Sequence, residues 1–272
     1  MRKETLSVRF LYQTKIGRCV LKLLVQPWVS KIAGAYLESR FSHWIINMYV
    51  KRNKIDMSMY PSRTYRSFNA FFTRKRKEGT IDITRSHLIS PCDAYLTVYP
   101  IDENSVYHIK HCDYRLAQLL DSSELARQYA GGLCLMFRLT TRHYHRYCYL
   151  CNGAVERIKR IDGKLHCVRP VAYDFVPVFV ENSREYTVVR SEEWGTVVQM
   201  EVGALLVGKI KNFPVSAEVF QGMEKGYFEF GGSTIIVLLE KDQVRMDASI
   251  LERSRQGLET EVHLGMKIGA QN

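Results

Sequence analysis

Up to about residue 55 the chain repeats apolar side chains at helical spacing. Ile16, Val20, Leu23 and Leu24 recur three to four residues apart, with Lys15, Arg18 and Lys22 between them, and this predicts a helix that stops at Pro27. A second stretch, from Trp28 to about Lys51, carries Ile32, Tyr36, Phe41, Trp44, Ile45 and Tyr49 among scattered basic residues. The aromatic run Phe68–Phe72 leads into Thr73 and then Arg74–Lys77, which reads as a helix end rich in cations. From about residue 80 the period changes. Tyr95–Tyr99, Val176–Val180, Tyr186–Val189, Thr196–Val202 and Ile235–Leu239 are short apolar runs bounded by Asp, Asn, Ser and Gly, the pattern of strands. The interval from Tyr114 to Tyr129 is the main helical exception. The pattern therefore predicts an α+β fold: an N-terminal helical segment over residues 1–65 and a β-rich domain over residues 66–272, with no flexible linker between them.

Composition permits that core, since 46% of the 272 residues are hydrophobic. Charge adds a constraint: 39 Lys and Arg stand against 28 Asp and Glu, a net +11 that favours an anionic partner. Nucleic acid and an acidic membrane surface both satisfy it. Met1-Arg2-Lys3-Glu4 leads into mixed sequence, so no signal peptide is expected, and no apolar run reaches the ~18 residues of a bilayer-crossing helix. A membrane-bound form would lie on the surface, its basic amphipathic N-terminal helices against anionic lipid and its aromatic residues at the interface. The same pattern also describes helices packed on the domain behind them with a solvated basic face.

Seven cysteines are odd in number, and Cys148-Tyr149-Leu150-Cys151 has no second pair to accompany it. No metal is expected from that spacing, and reduced thiols suit it better.

Three segments combine reactive side chains with turn chemistry. Ser90-Pro91-Cys92-Asp93 places an acid in a proline turn before a strand. His143-Tyr144-His145-Arg146-Tyr147-Cys148 places two histidines in an aromatic, strand-like stretch. Gly231-Gly232-Ser233-Thr234 places a serine after two glycines, at the start of a very apolar strand. Each has an ordinary explanation: an Asp capping a turn, a hydrogen-bonded structural histidine, a glycine bend.

Together and in this order, the three segments resemble the signature segments of the phosphatidylserine decarboxylases, a pyruvoyl-dependent family. Ser90-Pro91-Cys92-Asp93 is similar to its Ser-Pro-x-Asp, and Leu139–Arg146 with Cys151-Asn152-Gly153 to its Tyr-His-Arg segment. Phe228–Thr234 is similar to its Gly-Ser-Thr cleavage motif, and Phe71–Arg74 and Gln199–Ala204 add likeness between these sites. The resemblance implies self-cleavage between Gly232 and Ser233, giving chains of residues 1–232 and 233–272, with Ser233 becoming a pyruvoyl cofactor. His145 would be the base that activates Ser233, and Asp93 the residue that orients it, as in serine proteases. The pyruvoyl group would form a Schiff base with phosphatidylserine and accept the electron pair released with CO2, yielding phosphatidylethanolamine.

The expected partner is phosphatidylserine in an anionic membrane, met peripherally at the cytoplasmic face. No nucleic acid is expected, since no recognised binding motif accompanies the Arg74–Lys77 cluster. Oligomeric state is left open, a homo-oligomer included. One position departs from many members of the family: Cys148 stands where a second histidine is frequent, so either His145 or the Cys148 thiol is the base. His143 stands where an Asp is frequent and is a further candidate. Two other readings remain: a member that no longer processes and serves as a lipid-binding scaffold, and a pyruvoyl enzyme acting on another amino acid or its derivative.

Overall fold

The computed structural model describes residues 6–61, 64–77, 81–109, 112–168, 177–204, 209–215, 217–230 and 233–272. Helices lead the chain: α1 (Leu6–Gln13), α2 (Lys15–Leu24), α3 (Pro27–Glu38), α4 (Ile45–Asn53) and the short α5 (Phe68–Phe72). Thr14 caps α2 by accepting the amide N–H of Gly17 at 2.9 Å. Gly17 also lets α1 and α2 touch, because a Cβ there would lie 2.0 Å from the carbonyl oxygen of Phe10. Pro27 ends one helical pattern and starts the next, occupying the first turn of α3, where its missing N–H is not needed. The second apolar stretch is not one helix. A 3₁₀ turn at Arg40–Ser42 divides it into α3 and α4, with the hydroxyl of Ser42 donating back to the carbonyl of Leu37.

The strands follow in order as β1 (His87–Ile89), β2 (Ala94–Pro100), β3 (Val106–Ile109), β4 (Cys112–Arg115), β5 (Leu133–Leu139), β6 (Arg146–Cys148), β7 (Gly153–Ile161) and β8 (Arg184–Ser191). Then come β9 (Gly195–Val202), β10 (Ile210–Asn212), β11 (Glu218–Val219), β12 (Glu224–Phe228), β13 (Ser233–Leu239), β14 (Val244–Met246), β15 (Thr260–Val262) and β16 (Lys267–Gln271). Among them lie α6 (Leu116–Leu120), α7 (Ser123–Arg127), α8 (Val178–Glu181) and α9 (Ala248–Arg255). The α+β, β-rich class expected from the pattern is the one observed. The run expected as a strand over Val176–Val180 is an exception: its last three residues belong to the helical turn Val178–Glu181, and Val176 lies outside the described residues.

An eight-stranded antiparallel sheet, in the order β11-β7-β8-β9-β13-β5-β2-β15, organises the domain. Its central strand β13 is buried at all seven positions and hydrogen-bonded on both sides, to β9 and β5. That explains an unbroken apolar run where a half-exposed strand would alternate. Ile236 and Leu238 face one core, shared with α6, α7 and with Tyr12, Leu21 and Val25 of the N-terminal helices. Ile235 and Val237 face a second core, closed by the small sheets β10-β12-β6 and β1-β16-β14. The N-terminal helices are tied on by hydrogen bonds as well: the amide N–H of Cys167 donates to the Tyr12 hydroxyl at 2.9 Å, and that of Leu165 to the Val25 carbonyl at 3.3 Å.

Candidate active site

The beginning of β13 is where the three reactive segments converge. Ser233, the first residue of that strand, is paired with Leu139, the last residue of β5. Five residues earlier the amide N–H of Phe228 donates to the carbonyl of His145 at 2.9 Å. The span 228–233 is therefore fastened to His145 at one end and to Leu139 at the other, and residues 140–145 connect those two anchors. Gly231 and Gly232, the expected cleavage glycines, fall inside that span and lie outside the described residues. Ser233 is fully buried and its Oγ has no hydrogen-bond partner among the described residues. Leaving a buried hydroxyl unpaired costs about 1–3 kcal/mol, so its environment is not built for stability.

The two histidines do not sit in a strand, as their aromatic setting suggests, but in the turn between β5 and β6. The His143 ring makes that turn. Its backbone N–H donates to the Thr140 carbonyl at 2.9 Å, while its Nδ1 accepts the Thr140 amide N–H at 3.1 Å. With Nδ1 an acceptor, the His143 proton resides on Nε2. His145 has the opposite tautomer. Its Nδ1 lies 2.9 Å from the His143 carbonyl, which can only accept, so Nδ1 carries the proton and Nε2 the lone pair. Both Nε2 atoms are buried and have no hydrogen-bond partner among the described residues.

Burial, reinforced by positive charge at His143 and Arg74, holds His145 down to about 3. Burial, with Arg142 adding to it, holds His143 at about 4. Both rings are neutral near pH 7, one offering a lone pair and the other an N–H.

Asp93 follows the pinned turn at Ser90–Pro91, where Ser90 Oγ donates to the Cys92 carbonyl at 2.7 Å. Sequence reasoning has Asp93 orienting His145. In the structure the His143 carbonyl makes that hydrogen bond, and the Asp93 carboxylate is taken up by both Nη atoms of Arg76. The amide N–H of Leu264 adds a third hydrogen bond to Asp93, at 2.9 Å. The negative charge of Asp93 still acts on both imidazoles, favouring their protonated forms. Arg76 was hidden in the Arg74–Lys77 cluster, and nothing in the spacing singles it out as the partner of an acid 17 residues away.

Cys148 lies in the second core beside Cys92 and Phe228, and burial pushes its thiol up to about 12. Its amide N–H donates to the Pro91 carbonyl at 2.9 Å. It is an un-ionised, apolar neighbour of the site.

Aromatic residues from the N-terminal helices wall the site. Phe72 of α5 packs on the His145 ring at 4.2 Å and on Phe230 at 5.1 Å. Tyr49 of α4 meets Phe68, Phe71, Phe72 and Phe230 edge-on, and its hydroxyl donates to the Thr141 carbonyl. Among the described residues, no group of three His, Cys, Asp or Glu side chains is arranged to hold a metal ion.

Residues 68–270 match the family model for phosphatidylserine decarboxylase. Phosphatidylserine decarboxylase proenzyme 2 of Clostridium acetobutylicum is 45% identical over 270 residues, covering 98% of this chain and 92% of its own. The phosphatidylserine decarboxylase proenzyme of Clostridium botulinum is 37% identical over 270 residues, covering 96% of this chain and 92% of its own. That of Clostridium tetani is 37% identical over 269 residues, covering 96% and 91%. A family match over most of the chain, and relatives matched almost end to end, make this chain an enzyme of the phosphatidylserine decarboxylase family.

Proposed function

We propose that this chain cuts itself between Gly232 and Ser233 and then converts phosphatidylserine to phosphatidylethanolamine and CO2. The observation that carries the reading is the buried, unpartnered Ser233 Oγ on a span fastened to the loop that holds the free lone pair of His145.

Self-cleavage begins when Ser233 Oγ attacks the carbonyl carbon of Gly232 and gives its proton to His145 Nε2. The amide C–N bond breaks, the nitrogen takes a proton, and an ester joins Gly232 to Ser233. Loss of the Cα proton then expels the Gly232 carboxylate, leaving dehydroalanine, and water replaces its nitrogen as ammonia. The products are residues 1–232 and a chain of 233–272 that begins with the pyruvoyl group. Burial makes an imidazolium at His145 costly, so the proton is passed on rather than stored, and the nearby Asp93 charge eases its brief presence. Cys148 is too weak an acid and too enclosed by the second core to serve as the base.

The residues fit such a group: it would replace a partnerless hydroxyl by a carbonyl of similar size at one strand terminus. When formed, it supplies an electron sink for a substrate bound through its amine. His145 and His143 would border it with a lone pair and an N–H, and Phe72 and Phe230 would keep water from it.

The N-terminal helices suit an anionic membrane as the source of substrate. They pack on the domain through Tyr12, Leu21 and Val25, yet turn a second apolar stripe outward: Ile16, Val20, Leu23, Trp28, Ile32, Tyr36, Phe41 and Trp44. Between residues 15 and 54 stand eight Lys or Arg and one acid, Glu38. No helix among the described residues is long and apolar enough to cross a membrane. The outward apolar stripe and its basic flanks are what support docking on the surface of an anionic cytoplasmic leaflet.

Purified enzyme incubated with phosphatidylserine vesicles is expected to release CO2 and form phosphatidylethanolamine, and to leave free serine untouched. Turnover of free serine at a comparable rate, with none of the lipid, would overturn the substrate assignment.

A further inference from the structure

Two buried arginines have no carboxylate within ion-pair reach among the described residues, and they differ in how their charge is met. Arg184 uses four of its five N–H bonds: Nε donates to the Leu119 carbonyl at 2.7 Å, Nη1 to Val180 at 2.5 Å and Asn182 at 3.0 Å, and Nη2 to Gln118 at 2.9 Å. Arg74 does not. It is 3% exposed, and of the five N–H bonds a guanidinium offers, one has an acceptor among the described residues, Nη1 donating to the Phe71 carbonyl at 3.0 Å. Its Nε is buried without a partner among the described residues.

The other cations of the same run are all occupied. Arg76 holds Asp93, Lys75 reaches Glu224 at 3.5 Å, and Lys77 donates to the Ser58 carbonyl at 2.9 Å. Arg74 is left between aromatic faces, its guanidinium carbon 4.1 Å from the Tyr60 ring centre and 4.3 Å from that of Phe71. Cation–π contact recovers only part of the cost of burying a charge. A buried guanidinium with most of its fork unused is shaped to receive a planar or tetrahedral oxyanion.

Its position says which one. Tyr60 packs on Tyr144, the neighbour of His145, and Phe71 adjoins Phe72, which packs on the His145 ring. On the other side the aromatic cluster of Phe68, Phe71 and Phe72 continues into Ile46, Leu37 and Val50 of the N-terminal helices. Arg74 therefore stands between the helices that carry the outward apolar stripe and the reactive His145–Ser233 region.

Taking phosphatidylserine as substrate, as proposed above, two anionic groups compete for such a residue. Holding the carboxylate in a charged fork would stabilise the ground state against departure of CO2, which opposes catalysis. The phosphodiester is unchanged by the reaction and lies between acyl chains and amino acid, in the same order as helices, Arg74 and Ser233. We propose that Arg74 is the phosphodiester-binding residue of the substrate site, a role that rests on the lipid-substrate reading.

Competitive inhibition of the processed enzyme separates the possibilities, with sn-glycero-3-phosphoethanolamine as the phosphodiester probe and ethanolamine as its phosphate-free counterpart. Inhibition constants refer to processed enzyme only, so a slowly maturing variant is still readable. Arg74→Gln is expected to raise the constant for the phosphodiester by about tenfold or more, the scale of one charge-assisted contact, and that for ethanolamine by less than about twofold. Arg74→Lys keeps the charge without the fork and should fall between, which covers failure of the Gln variant to fold. Equal weakening of both inhibitors, or of neither, overturns the proposal. Sedimentation with anionic vesicles locates the anion: loss of vesicle binding in Arg74→Gln with an unchanged phosphodiester constant would place Arg74 at the membrane and also overturn it. If wild type releases no CO2 from phosphatidylserine yet calorimetry shows the phosphodiester probe binding through Arg74, the substrate reading fails and the anion site stands.

Discussion

The imidazole of His145 is held by one hydrogen bond, from Nδ1–H to the His143 carbonyl, in a pocket where burial resists a second proton. An ordinary histidine loses its lone pair below about pH 6.5. Lowered to about 3, His145 keeps Nε2 free through mild acid. The rate of self-cleavage of purified precursor is therefore expected to stay level between about pH 8 and pH 5; an inflection near 6.5, followed by intact mass over time, would contradict that placement. His145→Ala should leave the precursor whole, whereas Cys148→Ala should mature normally because its thiol is protonated and faces the second core. The reverse result would transfer the role of base to Cys148. Residue identities at this site were legible because Asp93, His145 and Ser233 sit in short, ordered segments. Their connections were not, since hydrogen bonds from Arg76 to Asp93 and from His145 to its neighbour's carbonyl leave no mark in spacing.

At the scale of elements, the sheet around β13 contains an ion pair that the apolar pattern conceals. Glu201 of β9 is the register partner of Ile235 and so shares the face of Ser233. Its carboxylate meets Lys225 of β12, both side chains being fully buried, and Asn212 of β10 donates to it at 3.0 Å. Burial raises Glu201 above the usual carboxylate range while Lys225 and Asn212 oppose the rise. Removing one member strands the other, so Lys225→Met is expected to cost about 3–5 kcal/mol, and the pair Lys225→Met with Glu201→Leu to be close to neutral. Urea unfolding of the uncleaved Ser233→Ala form measures both, with Glu201→Leu alone closing the cycle; a double-variant loss equal to the sum of the two single losses would show that the pair is not coupled. β13 itself could be read from its unbroken apolar run, and α2 from its 3.6-residue period. The 140–145 turn and the α8 helix could not, because side-chain hydrogen bonding of His143 and local packing of Phe179 set them.

The whole molecule joins a two-cored sheet to a helical face that remains apolar on its outside. Trp28, Phe41 and Trp44 are each more than half exposed, and eight basic residues surround them between positions 15 and 54. Trp28→Ala combined with Trp44→Ala should weaken sedimentation with phosphatidylserine-containing vesicles several-fold, and wild-type binding should fall as salt is raised. Binding that ignores both salt and the tryptophans would remove these helices as the docking face. The aromatic wall of Tyr49 and Phe72 connects these N-terminal helices to the His145 ring. Everything proposed for catalysis depends on Ser233 being cut, which intact-mass spectrometry of the purified protein tests most directly. Two chains are expected, residues 1–232 and a 233–272 chain with no free amino terminus, and Ser233→Ala should give one. A single wild-type chain of 272 residues with Ser233 unmodified would contradict the proposal.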